Sequence, residues 1–322
     1  MLGKNPLYAL QRLTGGMQLT TLRQMAAPDQ SSLALDVSAN PNPLTEVIRV
    51  QRPDAGPSCP LLFASPHSGR AYEPALSDAT CLSLDLLRRS EDAYVDVLLG
   101  SAPDFGALLL GALFPRVFVD VNRGPWELDP AMFSDRLPAE VGDISRRAAS
   151  GLGVVPRIGV EGRPLYRRRL RYEEAKARLD QYYKPYHAAL EGLIGELRSR
   201  FGHAVVLDMH SMPDQSARGV DFVIGDRFGT SCHPAVADTV EAALRELGFV
   251  TVRNNPYAGG YTTEHYGRPE SGVHVVQVEI NRSLYLEESR VAKSTGFESL
   301  EREMRKFVSR LSKADWNALL QP

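Results

Sequence analysis

Two histidines follow short apolar segments of the kind that form buried strands. His67 comes shortly after residues 61–64, and His210 comes shortly after residues 204–207. In open α/β sheets ligands bind outside the carboxyl ends of the strands, so we expect both imidazoles at one edge of a sheet. Imidazole is a common metal ligand, although a single histidine at a strand end often makes only a structural hydrogen bond. Together the pair predicts a candidate metal site and points to a metallohydrolase.

Acidic residues follow His67 at the start of a predicted helix. They are Glu91, Asp92 and Asp96, and the last two lie one turn apart on a shared helix face. One of these carboxylates would complete a set of two histidines and one carboxylate, which is common in catalytic zinc sites. The alternative is that they only complement the helix dipole. Position alone does not choose among the three.

A predicted strand over residues 114–121 leads directly to Asn122 and Arg123. Arginine is suited to bidentate recognition of a carboxylate, so Arg123 is a candidate for binding an anionic substrate. The alternative is a surface arginine that pairs with Asp120 or Glu127.

Glu279 lies near the end of a strongly apolar predicted strand, residues 273–280. A carboxylate in such a position must be paired, neutralised or functional, because burying an unpaired charge is costly. Beside a metal site it would serve as a general base and then as a general acid. A structural ion pair with Arg282 is the competing interpretation.

Two segments have the composition of substrate-facing loops. Residues 254–269 contain a glycine pair and three tyrosines, so Tyr257 or Tyr261 would lie over a bound substrate and Arg268 would reach it. Residues 129–169 are rich in Arg, Pro and Gly. This second segment is either a solvated charged face or a loop whose arginines meet an anionic ligand.

The composition limits the classes of partner. The net charge is −2, so we expect neither nucleic acid nor an anionic membrane as a partner. No apolar segment approaches the length of about 18 residues needed to span a membrane. The three cysteines lack metal-site spacing and are typical of a reduced cytoplasmic protein. A small anionic molecule is the predicted ligand, and the oligomeric state stays open.

Short apolar segments alternate with helical periodicity from about residue 47 onward. The predicted strands cover residues 61–64, 114–121, 204–209, 222–224, 250–252 and 273–280, and the predicted helices cover 84–100, 172–201, 234–247 and 300–311. This alternation predicts a three-layer α/β/α fold with a mainly parallel, mixed central sheet. Residues 46–322 are predicted to form a single catalytic domain. Residues 1–45 are predicted to be an N-terminal extension, either partly ordered or a docking arm.

The motifs, in their order, resemble the N-formylglutamate amidohydrolase family. The resemblance covers about residues 55–290, and the segments that carry it are SPHSGR, SEDAYVD, VDVNRGPWELDP, LDMHSMP, DFVIGDRFGTS, NPYAGGYTTEHYGRP and QVEINRSLY. That family is similar in turn to zinc carboxypeptidases and to the aspartoacylase and succinylglutamate desuccinylase group. The resemblance therefore implies a zinc-exopeptidase architecture.

The resemblance also implies a role for each candidate residue. His67, Asp92 and His210 would hold one Zn²⁺, and Glu279 would be the catalytic base. The carboxypeptidase pattern has its acidic ligand three residues after the first histidine, where this chain has Arg70. For that reason the ligand is expected at Asp92, in preference to Glu91.

The expected reaction is hydrolysis of N-formyl-L-glutamate to formate and L-glutamate, with a role in histidine degradation. Asn122 and Arg123 would bind one substrate carboxylate, and Arg163, Arg168 or Arg268 would bind the other. One rival is a deacylase or carboxypeptidase that acts on another N-acyl amino acid. A second rival is a non-catalytic protein that binds carboxylates on the same fold.

Overall fold

A seven-stranded mixed sheet forms the centre of the fold. The computed structural model describes residues 46–141 and 144–320. The strands are β1 Ile48–Gln51, β2 Leu61–Ser65, β3 Leu108–Ala112, β4 Ala204–Met212, β5 Phe222–Gly225, β6 Thr251–Arg253 and β7 Val273–Asn281. Their order across the sheet is β1-β3-β2-β4-β7-β5-β6. The pairings β1–β3 and β5–β7 are antiparallel, and the other four are parallel.

Helices and short helical turns connect the strands. The helices are α1 Pro74–Ala79, α2 Leu84–Arg88, α3 Val95–Leu98, α4 Arg146–Ala149, α5 Tyr172–Arg178, α6 Lys184–Phe201, α7 Asp214–Ala217, α8 Pro234–Arg245, α9 Tyr261–Tyr266, α10 Phe297–Ser312 and α11 Trp316–Leu319. A separate small hairpin consists of β8 Leu286–Glu287 and β9 Ala292–Lys293.

Both faces of the sheet are buried by helices. Successive side chains of a strand point to opposite faces, so in β2 Leu61 and Phe63 face one way while Leu62 and Ala64 face the other. The first face packs against α8 and α10, and the second packs against α5 and α6. The predicted α/β fold, with a mixed central sheet and flanking helices, is confirmed.

The register of the parallel strands brings the predicted site residues together. Ala64 pairs with Asp208, so His67, three residues further on, emerges near His210. In β4 and β7, His210 pairs directly with Glu279. Both strands are wholly buried and extend past these residues, so His210 and Glu279 lie inside their strands.

The prediction of a strand over residues 114–121 is wrong. This segment is a series of turns, and the strand in this part of the chain is β3, which the sequence analysis did not predict. The carbonyl of Pro115 accepts hydrogen bonds from the amides of Phe118 and Val119, which closes a turn. The apolar side chains are buried against α5 and α6 by this turn, without pairing in the sheet.

The single helix predicted over residues 84–100 is also wrong. Two short helices, α2 and α3, are separated by a bridge that contains Glu91 and Asp92. The amide of Asp92 donates to the carbonyl of His67 at 3.0 Å, and Tyr94 has a left-handed φ of 63°. These features break the helix and turn Asp92 toward His67.

The predicted helix over residues 172–201 is continuous but irregular. Between α5 and α6 the residues Leu179–Tyr183 form a π-helical turn, which contains one more residue than a regular turn. Pro185 follows at the start of α6 and lacks an amide hydrogen for a regular intrahelical bond. The turn lets the Tyr183 hydroxyl donate to the carbonyl of Arg123 at 2.9 Å.

Other sequence predictions have mixed outcomes. The segment 254–269, predicted as a loop, contains helix α9. Residues 1–45, predicted as an extension or docking arm, lie outside the described residues, and the single-domain assignment stays a prediction. In the part of the chain that the structure describes, no helix is both long and apolar enough to cross a membrane.

Candidate active site

His67, Asp92 and His210 form a buried group at the carboxyl ends of the central strands. Their exposed fractions are 1%, 1% and 3%. The two imidazole Nδ1 atoms lie 3.1 Å apart, and Asp92 Oδ2 lies 3.2 Å from the Nδ1 of His67 and 3.0 Å from that of His210. This group could hold a metal ion.

The opposite nitrogens of the two imidazoles face carboxylates. His67 Nε2 donates to Asp120 Oδ1 at 2.7 Å, and His210 Nε2 donates to Asp208 Oδ2 at 2.9 Å. An ionised carboxylate only accepts hydrogen bonds, so each of these Nε2 atoms carries the proton. Metal-binding histidines usually donate their second ring nitrogen to such a carboxylate, which fixes the ring and its tautomer.

In this tautomer the two Nδ1 lone pairs and the Asp92 carboxylate converge on one point. Three acceptor atoms this close require a positive charge between them. Burial opposes protonation of His210, but the charge of Asp208 outweighs it and raises the His210 pKa well above its usual range. A tetrahedral cation with ligands at about 2.0–2.1 Å leaves ligand atoms about 3.3 Å apart. The observed separations fit such a cation.

Asp92 is the acidic residue that the structure brings to the histidines. Glu91 points away, where it accepts from the Tyr72 hydroxyl at 2.8 Å and from Arg88 at 3.1 Å. Asp96 pairs with Arg70 at 3.0 Å. Position in the chain left Glu91, Asp92 and Asp96 as candidates for the acidic ligand. Of these three, Asp92 is the one beside the two histidines.

Arg282 holds the second oxygen of Asp92. Its Nη2 donates to Asp92 Oδ1 at 3.1 Å and to the carbonyl of Glu91 at 2.7 Å. The sequence analysis had Arg282 as a possible partner of Glu279, and the structure gives it this other role.

Glu279 lies beside His210 and forms no ion pair among the described residues. Its Oε1 accepts from Gln277 Nε2 at 2.8 Å, which leaves Oε2 available. Burial raises the pKa of Glu279 to about 7, although the positive charge of His210 lowers it. A carboxylate with a pKa near neutrality can both accept and return a proton.

These residues line a cavity of about 510 Å³. Its walls carry more positive than negative groups, because the carboxylates of Asp92, Asp120 and Glu279 are outnumbered by five arginines, namely Arg89, Arg116, Arg123, Arg147 and Arg282. Tyr257, Gly259 and Gly260 form part of the wall on the side of the loop before α9. Such a cavity is large enough for a small anionic molecule.

Arg123 is held by backbone carbonyls. Its Nε donates to Leu152 O at 3.0 Å and its Nη1 donates to Asn122 O at 2.8 Å. The nearest carboxylate oxygen, on Asp120, lies 3.9 Å from Nη2. Burial lowers the pKa of the guanidinium, and the neighbouring charges of Arg116 and Arg147 lower it further. Arg123 is therefore fixed in orientation but only weakly neutralised.

Asn122 is fully engaged inside the protein. Its Oδ1 accepts from the amide and the hydroxyl of Thr262, at 2.8 and 3.0 Å. Its Nδ2 donates to Asp208 Oδ2 at 3.2 Å. Asn122 thus connects the start of α9 to the carboxylate behind His210, and its side chain positions its neighbours.

Comparison with known proteins matches residues 59–286 to the N-formylglutamate amidohydrolase family. The chain belongs to this family. Two relatives are named N-formylglutamate deformylase. The Pseudomonas aeruginosa protein is 32% identical over 237 residues, which is 71% of this chain and 83% of the relative. The Pseudomonas putida protein is 31% identical over 238 residues, with the same coverage.

Solved structures agree with the family assignment. The crystal structure of N-formylglutamate amidohydrolase from Ralstonia eutropha JMP134 has a TM-score of 0.78 and 34% identity, covering 83% of this chain and 97% of that one. A gene product of Agrobacterium tumefaciens has a TM-score of 0.57 at 19% identity, with coverage of 83% and 94%, and shares the fold.

Not every substrate contact predicted for residues 254–269 is at the cavity. Tyr257 lines it, but Tyr261 does not. The ring of Tyr261 stacks on His265, with centroids 4.9 Å apart, and packs edge-on against His187. Arg268 donates to the carbonyls of Glu264 and Gly267 and is also absent from the wall.

The other two arginines proposed for the second carboxylate lie on the surface. Arg163 pairs with Glu161 at 3.2 Å, and Arg168 pairs with Glu174 at 2.8 Å. Neither contributes to the wall of the cavity.

Several residues of the site were missed by the sequence analysis. Asp208 and Gln277 each lie two residues before a predicted site residue in a strand, so strand periodicity places them on the same face. That signal was available and was not used. Asp120 was considered only as a partner of Arg123. No pattern in the sequence singled out Arg116 or Arg147.

Proposed function

We propose that this chain is a zinc-dependent amidohydrolase that cleaves N-formyl-L-glutamate to formate and L-glutamate. The observation that carries the proposal is the buried group of His67, Asp92 and His210 beside Glu279 in one cationic cavity. Family membership and the names of the relatives support the substrate. The zinc-exopeptidase architecture is part of the same proposal.

Zinc suits the donor set better than magnesium or calcium. Two imidazole nitrogens and one carboxylate oxygen are typical zinc ligands, whereas magnesium and calcium prefer sites made of oxygen atoms. When bound, the ion would polarise the formyl carbonyl and lower the pKa of a water molecule. Asp120 and Asp208 would keep both imidazoles in the tautomer that the ion requires.

Glu279 would transfer the proton during hydrolysis. As the water oxygen bonds to the formyl carbon, the Glu279 carboxylate takes a proton from the water. The same proton is then delivered to the amide nitrogen as the carbon–nitrogen bond breaks. The second proton of the water leaves with formic acid and is taken up by the free amine, which gives formate and the ammonium form of glutamate. Gln277 holds Glu279 in place by its bond to Oε1.

Arg123 would bind the substrate carboxylate that lies nearest to the formyl group. Its guanidinium lies in the wall of the cavity, where Nε and Nη1 donate to two backbone carbonyls. The third nitrogen, Nη2, bonds to neither carbonyl. Charge-assisted hydrogen bonds of this kind fix orientation as well as affinity. Tyr257 would contact the bound substrate from the loop before α9.

A place in histidine degradation, which the family resemblance implies, and a cytoplasmic location, which the three scattered cysteines indicate, complete the proposal. The expected partner is this small dicarboxylate, with neither nucleic acid nor a membrane involved. The net charge of −2 is in keeping with that expectation.

Metal content and formate release, measured on one sample, test the proposal. We expect close to one zinc per chain by mass spectrometry and formate release that stops on chelation and returns with added zinc. Zinc without formate release would contradict the substrate, and a panel of N-acetyl and N-succinyl amino acids would then identify another acyl group. A protein that binds no metal and hydrolyses none of these amides would contradict the enzymatic function.

A further inference from the structure

The arginines of the cavity differ in how far they are neutralised by the protein. Three have ion-pair partners within the chain: Arg89 with Glu161 at 2.9 Å, Arg116 with Asp120 at 2.9 Å, and Arg282 with Asp92 at 3.1 Å. The remaining two are Arg123, whose nearest carboxylate oxygen is 3.9 Å away, and Arg147, which forms no ion pair in the described ranges 46–141 and 144–320. Among the described residues, Arg123 and Arg147 are thus the two cations of the cavity without a carboxylate closer than 3.9 Å.

Arg147 is linked to Arg123 by two hydrogen bonds through the backbone of Leu152. The carbonyl of Arg147 accepts from the amide of Leu152 at 2.9 Å. The carbonyl of Leu152 in turn accepts from Arg123 Nε at 3.0 Å. The backbone of Arg147 is therefore linked through Leu152 to the side chain of Arg123.

A second connection supports α4, the helix that carries Arg147. Ser145 caps this helix by accepting from the amide of Ala148 at 3.1 Å. Its hydroxyl donates to Glu127 Oε2 at 2.7 Å, while Glu127 Oε1 accepts from the amide of Gly124 at 2.8 Å. Hydrogen bonds through Leu152 and through Glu127 thus connect the region of Arg123 to the helix that carries Arg147. These bonds hold the two arginines close to each other.

The depth of the two arginines matches the shape of an N-formyl dicarboxylic amino acid. Arg123 is mostly buried, with 15% of its side chain exposed, whereas Arg147 is exposed at the mouth of the cavity. In such a substrate one carboxylate lies next to the amide and the other lies three carbon atoms further away. The near carboxylate suits the deep arginine, and the distal one suits the arginine at the mouth.

We propose that Arg147 binds the distal carboxylate of the substrate and gives the site its preference for acidic over neutral N-formyl amino acids. The inference rests on the proposed function and names the specificity residue of the same site. It replaces Arg163, Arg168 and Arg268 as candidates, because none of these three lines the cavity.

The test compares Arg147→Gln with the wild-type protein on N-formyl-L-glutamate and on N-formyl-L-glutamine, which has nearly the same shape but a neutral end. Loss of one charge-assisted hydrogen bond should lower kcat/KM for the glutamate substrate by about 10- to 100-fold, mainly through KM. The decrease in kcat/KM for N-formyl-L-glutamine should be much smaller. The ratio of kcat/KM for the glutamate substrate to kcat/KM for the glutamine substrate should therefore fall. Arg147→Lys should keep part of the preference.

Arg146→Gln is the matched control. Arg146 is the preceding residue of the same short helix, is exposed and does not line the cavity, so its replacement should leave the substrate ratio unchanged. Equal losses on both substrates in Arg147→Gln, or an unchanged ratio, would overturn the inference. Thermal unfolding of each variant shows whether the fold is kept.

A binding measurement separates this inference from the proposed function. Calorimetric titration with glutarate, which has two carboxylates, and with butyrate, which has one, requires no turnover. The wild-type protein should prefer glutarate, and Arg147→Gln should lose that preference. If the wild-type protein released no formate but Arg147→Gln still lost the preference, the proposed reaction would fail while the inference held. If the preference survived in Arg147→Gln, the inference would fail.

Discussion

On one side of the cavity His210 and Glu279 lie in adjacent strands, whereas on the other side Arg123 lies in a turn and Arg147 lies in the short helix α4. The first side, the strand-held half, consists of His67, His210 and Glu279 with the carboxylate of Asp92. The relative positions of its two strand residues follow from the register of β4 and β7. The second side, the loop-held half, consists of Arg123, Arg147 and Tyr257.

The two halves differ in what fixes them. Backbone pairing along two fully buried strands positions His210 and Glu279 of the strand-held half. Individual bonds between side chains and backbone position the loop-held half, such as those from Arg123 to two carbonyls. We infer that the strand-held half performs the chemistry and the loop-held half selects the substrate. Changes in the first should therefore alter kcat and metal binding, and changes in the second should alter KM.

Glu279→Gln should have the largest effect. The amide cannot take a proton from water, so kcat should fall by about 10²- to 10⁴-fold while zinc stays bound. Steady-state kinetics and metal content measure the two quantities. Glu298→Gln, an exposed change in the first turn of α10, is the control and should have normal kinetics. Near-normal kcat in Glu279→Gln would remove Glu279 from the chemistry.

Asp92→Asn should weaken metal binding at least about 100-fold, more than the loss of a typical outer partner of a metal ligand. The carboxylate would be replaced by a neutral amide, and Arg282 would lose its anionic partner. Zinc retained after dialysis against a weak chelator measures this loss.

Asp96→Asn is the matched control for Asp92→Asn, because Asp96 lies one turn further on and pairs with Arg70 on the outside. It should retain zinc. If Asp96→Asn lost zinc and Asp92→Asn kept it, the assignment of the acidic ligand would be reversed.

Arg123→Lys should raise KM for N-formyl-L-glutamate about tenfold, with a smaller change in kcat. Lysine keeps the charge but lacks the planar guanidinium, whose separate nitrogens bond to two carbonyls and leave Nη2 for a carboxylate. Arg163→Lys, at a surface arginine paired with Glu161, should leave both constants unchanged. A fall in kcat without a change in KM would contradict the division between the two halves.

His187→Gln tests the support of the loop-held half and should have the smallest effect at neutral pH. His187 Nε2 donates to the carbonyl of Val121 at 3.0 Å, and its Nδ1 accepts from the Tyr266 hydroxyl at 2.8 Å. Burial lowers the pKa of His187 to about 4, from an ordinary value of 6.5. The folded state thus favours the neutral imidazole.

The sign of the pH dependence follows from this lowered pKa. Above pH 6.5 neither state is protonated at His187, so its contribution to stability is complete. Between pH 6.5 and pH 4 the unfolded chain takes up the proton more readily than the folded chain does, so the free energy of unfolding falls by about 3 kcal/mol. Denaturant unfolding at several pH values should show a shallower fall in His187→Gln.

His203 and His274, whose pKa values burial also lowers, contribute in the same direction in every variant. An identical slope in His187→Gln would show that His187 does not carry this part of the pH dependence.

The sequence predicted the strand-held half far better than the loop-held half. Strands β2, β4 and β7 are apolar and bounded by turns, so their side chains fall on known faces. Residues 114–121 have the same apolar character, but turns bury them, and apolar periodicity does not distinguish these two ways of burial. Arg147 is linked to Arg123 through Leu152, whose carbonyl accepts from Arg123 although the two lie 29 residues apart in the chain. Such contacts between distant turns leave no periodic signal.

The π-helical turn between α5 and α6 determines how far α6 is rotated about the helix axis relative to α5. Each residue of a regular helix advances the chain by about 100° around the axis. With one residue fewer, the part of the helix after Leu179–Tyr183 would be rotated by about this angle relative to α5. Tyr183 and His187 would then turn away from the carbonyls of Arg123 and Val121, to which both now bond. The extra residue therefore turns Tyr183 and His187 toward the carbonyls that they bond, on the substrate-binding side of the cavity.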